Sequence, residues 1–236
     1  MPEAQRDCAR GHAFRLNYTD LSVYYLRRRP HHTAQGFAMK LYDVALSGNC
    51  YKVRLFLGLI GQKAELVPVD LMGGAHKRPA FLAINPRGQV PALEDGELRL
   101  GDSHAILVYL ARRYAEPHWN PQDAVTQGRI ANWLSFSANE VQHGLAQARV
   151  IQLFKRPGDL PVAQAKGRHA LELLDATLAD HRWLAQTDEP SIADIAVYPY
   201  VALASEGGLE PSGYPYVQDW LGRIRALPGY IAQPAF

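Results

Sequence analysis

The stretch LYDVALSGNCYKVRLFLGL (residues 41–59) changes its hydrophobic period half-way along, and that change decides how the rest of the chain is read. Its first part, with Met39 and Lys40 in front, is a short apolar run rich in β-formers and predicts a buried strand. Beyond Ser47, the residues Val53, Phe56, Leu57 and Ile60 fall at i, i+3, i+4 and i+7, one face of a helix that Gly61 stops. The junction Ser47-Gly48-Asn49-Cys50 reads as a C-x-x-C redox motif with its first cysteine replaced by serine. In such a motif the first cysteine is the nucleophile, exposed at a helix N-terminus. Here that position offers only a hydroxyl, and the plain structural reading of Ser47 is an N-cap. Asn49 and Cys50 are the alternatives to Ser47 as the side chain that meets a sulfur. Cys50 precedes Val53 by three residues, continues the core stripe, and reads as a buried, inert thiol.

Downstream, AELVPVDL (64–71) is a second strand. FLAINPRGQVPALEDGELRL (81–100) holds a Pro/Gly turn, a strand from Val90 to Leu93, an Asp95-Gly96 hairpin signal and another strand. A helix from Ser103 to about Tyr114 closes the unit. The order β-α-β, irregular segment, β-β-α over residues 39–115 predicts a compact α/β, thioredoxin-like domain. A Pro-rich, polar linker follows at 116–123, and past it the strand patterns stop. Helical stripes appear at Ile130, Trp133, Leu134, Val141 and Leu145, and again at Ala170, Leu171, Leu174 and Leu178, so residues 124–236 predict an all-α domain. Ser191-Ile-Ala-Asp194 is a capping box ahead of the apolar run IAVYPYVAL, and should seed its core helix.

The 236 residues are 47% hydrophobic and 20% charged, as in an ordinary globular protein, and no apolar run approaches the roughly 20 residues a membrane span requires. Two cysteines, Cys8 and Cys50, cannot build a disulfide scaffold, which suits a reducing, cytoplasmic setting. The net charge of +2 is unevenly placed. Residues 1–38 carry six arginines against Glu3, Asp7 and Asp20, whereas the remainder has 19 basic and 20 acidic residues, so nothing favours nucleic acid as a partner. Those first residues read as a poorly ordered N-terminal extension, with the folded unit opening at Met39. Their arginines follow the apolar patch, which argues against a secretory signal and leaves a targeting peptide as the minor alternative.

Three features of the first domain converge on one chemistry. Ser47 sits at a strand-to-helix junction, where free N–H groups and the helix dipole favour an anion. Gln89-Val90-Pro91 precedes a strand and suggests a cis X-Pro bond, which would turn the Val90 main chain toward an extended ligand; an ordinary turn proline is the simpler reading. Asp102-Ser103 opens a helix, with Ser103 as the N-cap and Asp102 complementing the dipole; free N–H groups and a hydroxyl there would also bind a carboxylate, and Asp102 an ammonium. An anion slot, a backbone clamp and a carboxylate-plus-ammonium receptor together match glutathione. Neither His143 nor the pair His31–His32 has metal-ligand spacing, so no metal is expected.

Residues 39–236 resemble the cytosolic glutathione S-transferases of the bacterial, serine-type kind. LYDVALSGNCYKVRL is similar to the theta and zeta classes, VDLMGGAHKRPAFLAINPRGQVPALEDGELRLGDSHAI (69–106) to the phi class, and SIADIAVYPY (191–200) to the capping-box segment of the family's second domain. The resemblance implies the glutathione transferase fold, glutathione as co-substrate, a homodimer, and transfer to small hydrophobic electrophiles. Disulfide or peroxide reduction, and a non-catalytic binding role, stand as alternatives. It assigns Ser47 to the thiolate, His76 and Lys77 to the glycyl carboxylate, Gln89 and Val90 to the peptide, and Asp102 and Ser103 to the glutamyl end. The family usually has Glu where this chain has Asp102. Within the second domain, Trp133 reads as core, and Phe136 and Asn139, off the main stripe, as the electrophile pocket.

Overall fold

The computed structural model describes residues 39–233. Strand β1 (Lys40–Asp43) leads into α1 (Gly48–Leu59) and then β2 (Glu65–Pro68). A short 3-10 turn at Ala75–Lys77 and the helical turn α2 (Pro79–Leu82) follow. Next come β3 (Ala92–Asp95), β4 (Leu98–Gly101) and α3 (Ser103–Tyr114). The sheet order is β2-β1-β3-β4. β1 and β2 pair in parallel, which only a crossover helix permits, and α1 is that helix. β3 pairs antiparallel to β1, placing Leu41 opposite Leu93, and both are fully buried. Val53, Phe56 and Leu57 of α1 are buried as the periodicity requires. The N-terminal extension, including Cys8 and the His31–His32 pair, lies outside the described residues.

The linker is pinned. Its 3-10 turn Pro117–Trp119 buries Trp119, whose ring meets Phe56 of α1 edge-on at 5.1 Å between centroids. Helices α4 (Ala124–Phe136), α5 (Gln147–Phe154), α6 (Leu160–Asp180), α7 (Ile192–Ala202) and α8 (Pro215–Arg225) form the second domain. Between α4 and α5 the chain is wound as a π-helix over Ser137–Ala146, which a 3.6-residue reading did not anticipate. This segment crosses α6 with almost no gap: a Cβ on Gly144 would lie 2.6 Å from the main-chain nitrogen of Gly167.

Helix α7 is buried on every side from Ile192 to Val201. The capping box forms at its start and does more than cap. Asp194, wholly buried, accepts from Ser191 N–H at 2.9 Å and from the Ser191 hydroxyl at 3.3 Å, and also from Leu184 N–H and Trp220 Nε1–H, each at 3.0 Å. Burial pushes its carboxyl above the usual range, and those four donors oppose the shift. One side chain therefore ties the α7 cap to the preceding loop and to α8. Asp194→Ala should cost on the order of 3 kcal/mol in urea unfolding, whereas Ser191→Ala should cost about 1 kcal/mol. Equal losses would reduce Asp194 to an ordinary cap.

Candidate functional site

The N-terminal ends of α1 and α3 open on the same side of the sheet, beside the turn that enters β3 and beneath the π-helix. They border a cavity of about 600 Å³. Ser47, at its edge, caps α1: its Oγ accepts from Cys50 N–H at 3.3 Å, leaving the hydroxyl proton as what it can offer a ligand. Asn49 also borders the cavity. Cys50 does not; it is fully buried, its sulfur accepts from Val44 N–H at 3.4 Å, and burial pushes its thiol up to about 12.

His76 and Lys77 reach the cavity from the segment after β2. Lys77 Nζ donates to Gly88 O at 3.1 Å, and His76 Nδ1 is buried without a hydrogen-bond partner among the described residues. Gly88, at φ 58°, permits this packing, because a Cβ there would lie 2.8 Å from His76 O and 2.9 Å from Lys77 Nζ. Gln89 and Val90 line the cavity next, and the Val90–Pro91 bond is cis. Asn85 Nδ2 donates to Gln89 O at 2.7 Å and fixes this turn.

At the α3 end the cap differs from expectation. Asp102, not Ser103, is the N-cap: its Oδ1 accepts from His104 N–H at 2.9 Å and Ala105 N–H at 3.2 Å, and Ser103 becomes the first helical residue, buried. A carboxylate can bind two free N–H groups at once and carries charge against the dipole, so it displaces the hydroxyl. Asp102 adopts φ 80° to do so, a region that L-residues rarely occupy. Its Oδ2 lies 3.5 Å from Arg87. Both Asp102 and Ser103 still line the cavity.

The second domain meets the cavity through Ser137, Ala138 and Gln142, not through Phe136 or Asn139. Phe136 packs on the core with its ring 5.0 Å from Trp133, and Asn139 is exposed, bonded back to Ser135 O at 2.9 Å. For Asn139 the π-helix is the reason, since it turns the residues after Phe136 by less per step than an α-helix would, whereas Phe136 still belongs to α4 and follows Trp133. Among the residues that sequence reasoning missed, Lys52 stands out. It is 1% exposed yet lines the cavity, with Nζ 3.1 Å from His104 Nε2 and 3.2 Å from Ser137 Oγ. No metal-binding cluster of His, Cys, Asp or Glu occurs among the described residues, and His143 is exposed.

Residues 41–118 match the glutathione S-transferase N-terminal domain family and residues 122–223 the glutathione S-transferase C-terminal domain family. The chain belongs to the glutathione S-transferase family. Among its relatives, glutathione S-transferase 3 of Zea mays is 37% identical, over 81% of this chain and 91% of the relative. Maleylacetoacetate isomerase of Pseudomonas aeruginosa is 32% identical, over 84% and 96%. The crystal structure of glutathione S-transferase from Pseudomonas fluorescens superimposes with a TM-score of 0.79 at 33% identity, covering 84% of this chain and all of that one. A thioredoxin-like domain followed by a helical domain is thus the glutathione transferase fold.

Within this family member Cys50 is fully buried and does not line the cavity. Native protein should alkylate at Cys50 only after denaturant is added, as read by peptide mass spectrometry. Cys50→Ala should cost about 1–2 kcal/mol. A stoichiometric adduct on Cys50 in the native state would make it a candidate nucleophile.

Proposed function

We propose that the protein is a glutathione transferase in which Ser47 stabilises the glutathione thiolate for attack on a small electrophile. The observation that carries this reading is convergence. A hydroxyl-capped helix N-terminus, the Lys77 ammonium with His76, the Val90 main chain and the Asp102–Ser103 helix start all border one cavity. Each suits a different part of one tripeptide: Ser47 the sulfur, Lys77 and His76 the glycyl carboxylate, Gln89 and Val90 the peptide backbone, Asp102 and Ser103 the γ-glutamyl ammonium and carboxylate. Since Asp102 already serves as the cap of α3, it meets the ammonium through Oδ2, the oxygen near Arg87.

A cysteine-like thiol titrates near 8.5, and a hydroxyl donor plus a helix N-terminus that lower it by about two units supply roughly 2.7 kcal/mol for the thiolate. The electron pair on sulfur then attacks the electrophilic carbon. Ala138 and Gln142 border the cavity from the second domain, the side left for a small hydrophobic electrophile. The burial of Cys50 weighs against disulfide exchange through an enzyme thiol. A homodimer is part of this reading. No helix among the described residues is long and apolar enough to cross a membrane, and a cytoplasmic setting belongs to the same proposal.

Glutathione titration, followed by assays with an aryl halide and with a mixed disulfide, separates transferase, reductase and binding-only outcomes. Ser47→Ala should preserve the fold and raise the pKa of bound glutathione, followed as thiolate absorbance against pH. An unchanged titration with full activity would move the role to Asn49 or to main-chain N–H groups. Lys77→Ala should weaken glutathione binding by about 1–2 kcal/mol, because a charge-assisted contact is lost. A drop in kcat with unaltered affinity would remove Lys77 from the carboxylate site.

A further inference from the structure

Lys52 is a lysine buried in the cavity wall with no carboxylate in ion-pair distance. Among the described residues its Nζ appears in no salt bridge. Its polar partners are neutral groups from two other elements. His104, in the first turn of α3, places Nε2 at 3.1 Å, and Ser137 of the π-helix places Oγ at 3.2 Å. The Ser137 hydroxyl gives its own proton to Ala196 O at 2.7 Å, so toward Lys52 and His104 it can only accept. From α7 the Tyr200 ring lies 5.5 Å from Nζ, and burial keeps its phenol protonated, pushed up to about 12. Among the described residues, the one anion acting on Lys52 is Asp102, whose carboxylate is engaged by the α3 cap and lies near Arg87.

Such surroundings favour an uncharged amine. Burial pulls Lys52 down to about 7, with Asp102 opposing, and the same burial together with Lys52 pulls His104 well below its ordinary value. An anion entering the cavity reverses this preference, because it supplies the counter-charge that the wall lacks. Ser47 and Lys52 both face that cavity from the N-terminal part of α1.

We propose that Lys52 takes up the proton that the glutathione thiol gives up on binding, so that thiolate and ammonium form together inside the cavity. The S–H bond breaks with its electron pair staying on sulfur, and an N–H bond forms on Nζ. No proton is released to solvent, and nothing is oxidised or reduced. Ser137 is the positioning residue, its oxygen accepting from the amine in either of its states, while His104, whose Nε2–H is directed to Ser137, packs beside it. This inference rests on the reading of the cavity as a glutathione site.

The test counts protons. Titration calorimetry with glutathione, in buffers of different ionisation enthalpy near pH 7.5, gives the number released per site, and thiolate absorbance gives the number of thiols ionised. That pH lies above the value of about 7 to which burial pulls Lys52, so its side chain starts mostly neutral. The full chain should therefore release well under half a proton per thiolate formed. Near pH 6, where Lys52 is already charged, release should rise toward one. Lys52→Met, which cannot take the proton, and Lys52→Arg, which is always charged, should each release about one proton per thiolate at pH 7.5. A full proton released by the unmodified protein at pH 7.5, or proton counts unaltered in the variant that folds, would overturn the proposal. Absence of a thiolate band in the unmodified protein is a different result: it would overturn the glutathione reading, and this inference with it.

Discussion

Helix α1 has almost no face left for water. From Gly48 to Leu57 its residues are buried apart from Asn49, with α3 on one side and α7 of the helical domain on another. The site depends on this constraint, because a helix enclosed on both sides holds its N-terminus at one fixed place with its unpaired N–H groups directed into the cavity. The cost is that its two cations, Lys52 and Arg54, are enclosed with it. Arg54 meets that cost with a matched anion: Nη1 donates to Asp43 Oδ2 at 2.6 Å, and Nη2 donates to Ala45 O at 2.7 Å and to Gln233 at 2.9 Å. A planar guanidinium suits such an arrangement, with one nitrogen on the carboxylate and the other on two further oxygens. Lys52, two residues away, has neutral neighbours instead, and a compact amine can shed its charge where a guanidinium cannot. Two cations in one buried helix thus reach opposite solutions, one by pairing and one by neutralisation.

Ser47 and Cys50 meet opposite surroundings. The two residues belong to one turn, yet the serine borders the cavity and the cysteine fills the core. Among the described residues, then, no protein thiol lines this cavity, in keeping with a thiol that enters with a ligand.

Local pattern carried the elements well. The β-α-β start, the hairpin, the helical stripes and the α7 capping box are short-range features, and each is present in the structure, with the first hairpin strand moved from 90–93 to Ala92–Asp95 because the cis Val90–Pro91 turn precedes it. What the sequence concealed is of three physical kinds. Asp102 and Ser103 are both good caps, and only the backbone conformation at Asp102 decides between them. The π-helix leaves Val141 and Leu145 at a spacing equally suited to an α-helix, so the pattern hides the change of winding that brings Ser137, Ala138 and Gln142 to the cavity and not Asn139. Lys52 looks like the polar side of an amphipathic helix, and it is buried only because a segment from the other domain closes over it. That last fact lives in tertiary contacts, beyond the reach of any window along the chain.

The crossing of Gly144 and Gly167 bears on how such a molecule can diversify. With the two backbones in contact, the π-helix has no slack on the side away from the cavity, and any larger residue at the crossing would drive the whole wall inward. Over generations, new substrate preferences are therefore reached most readily by exchanging the side chains that project from the wall, such as those at Ala138 and Gln142, while the wall itself stays put. The close-packed pair acts as a datum line: it fixes the width of the chamber and leaves its lining free to vary.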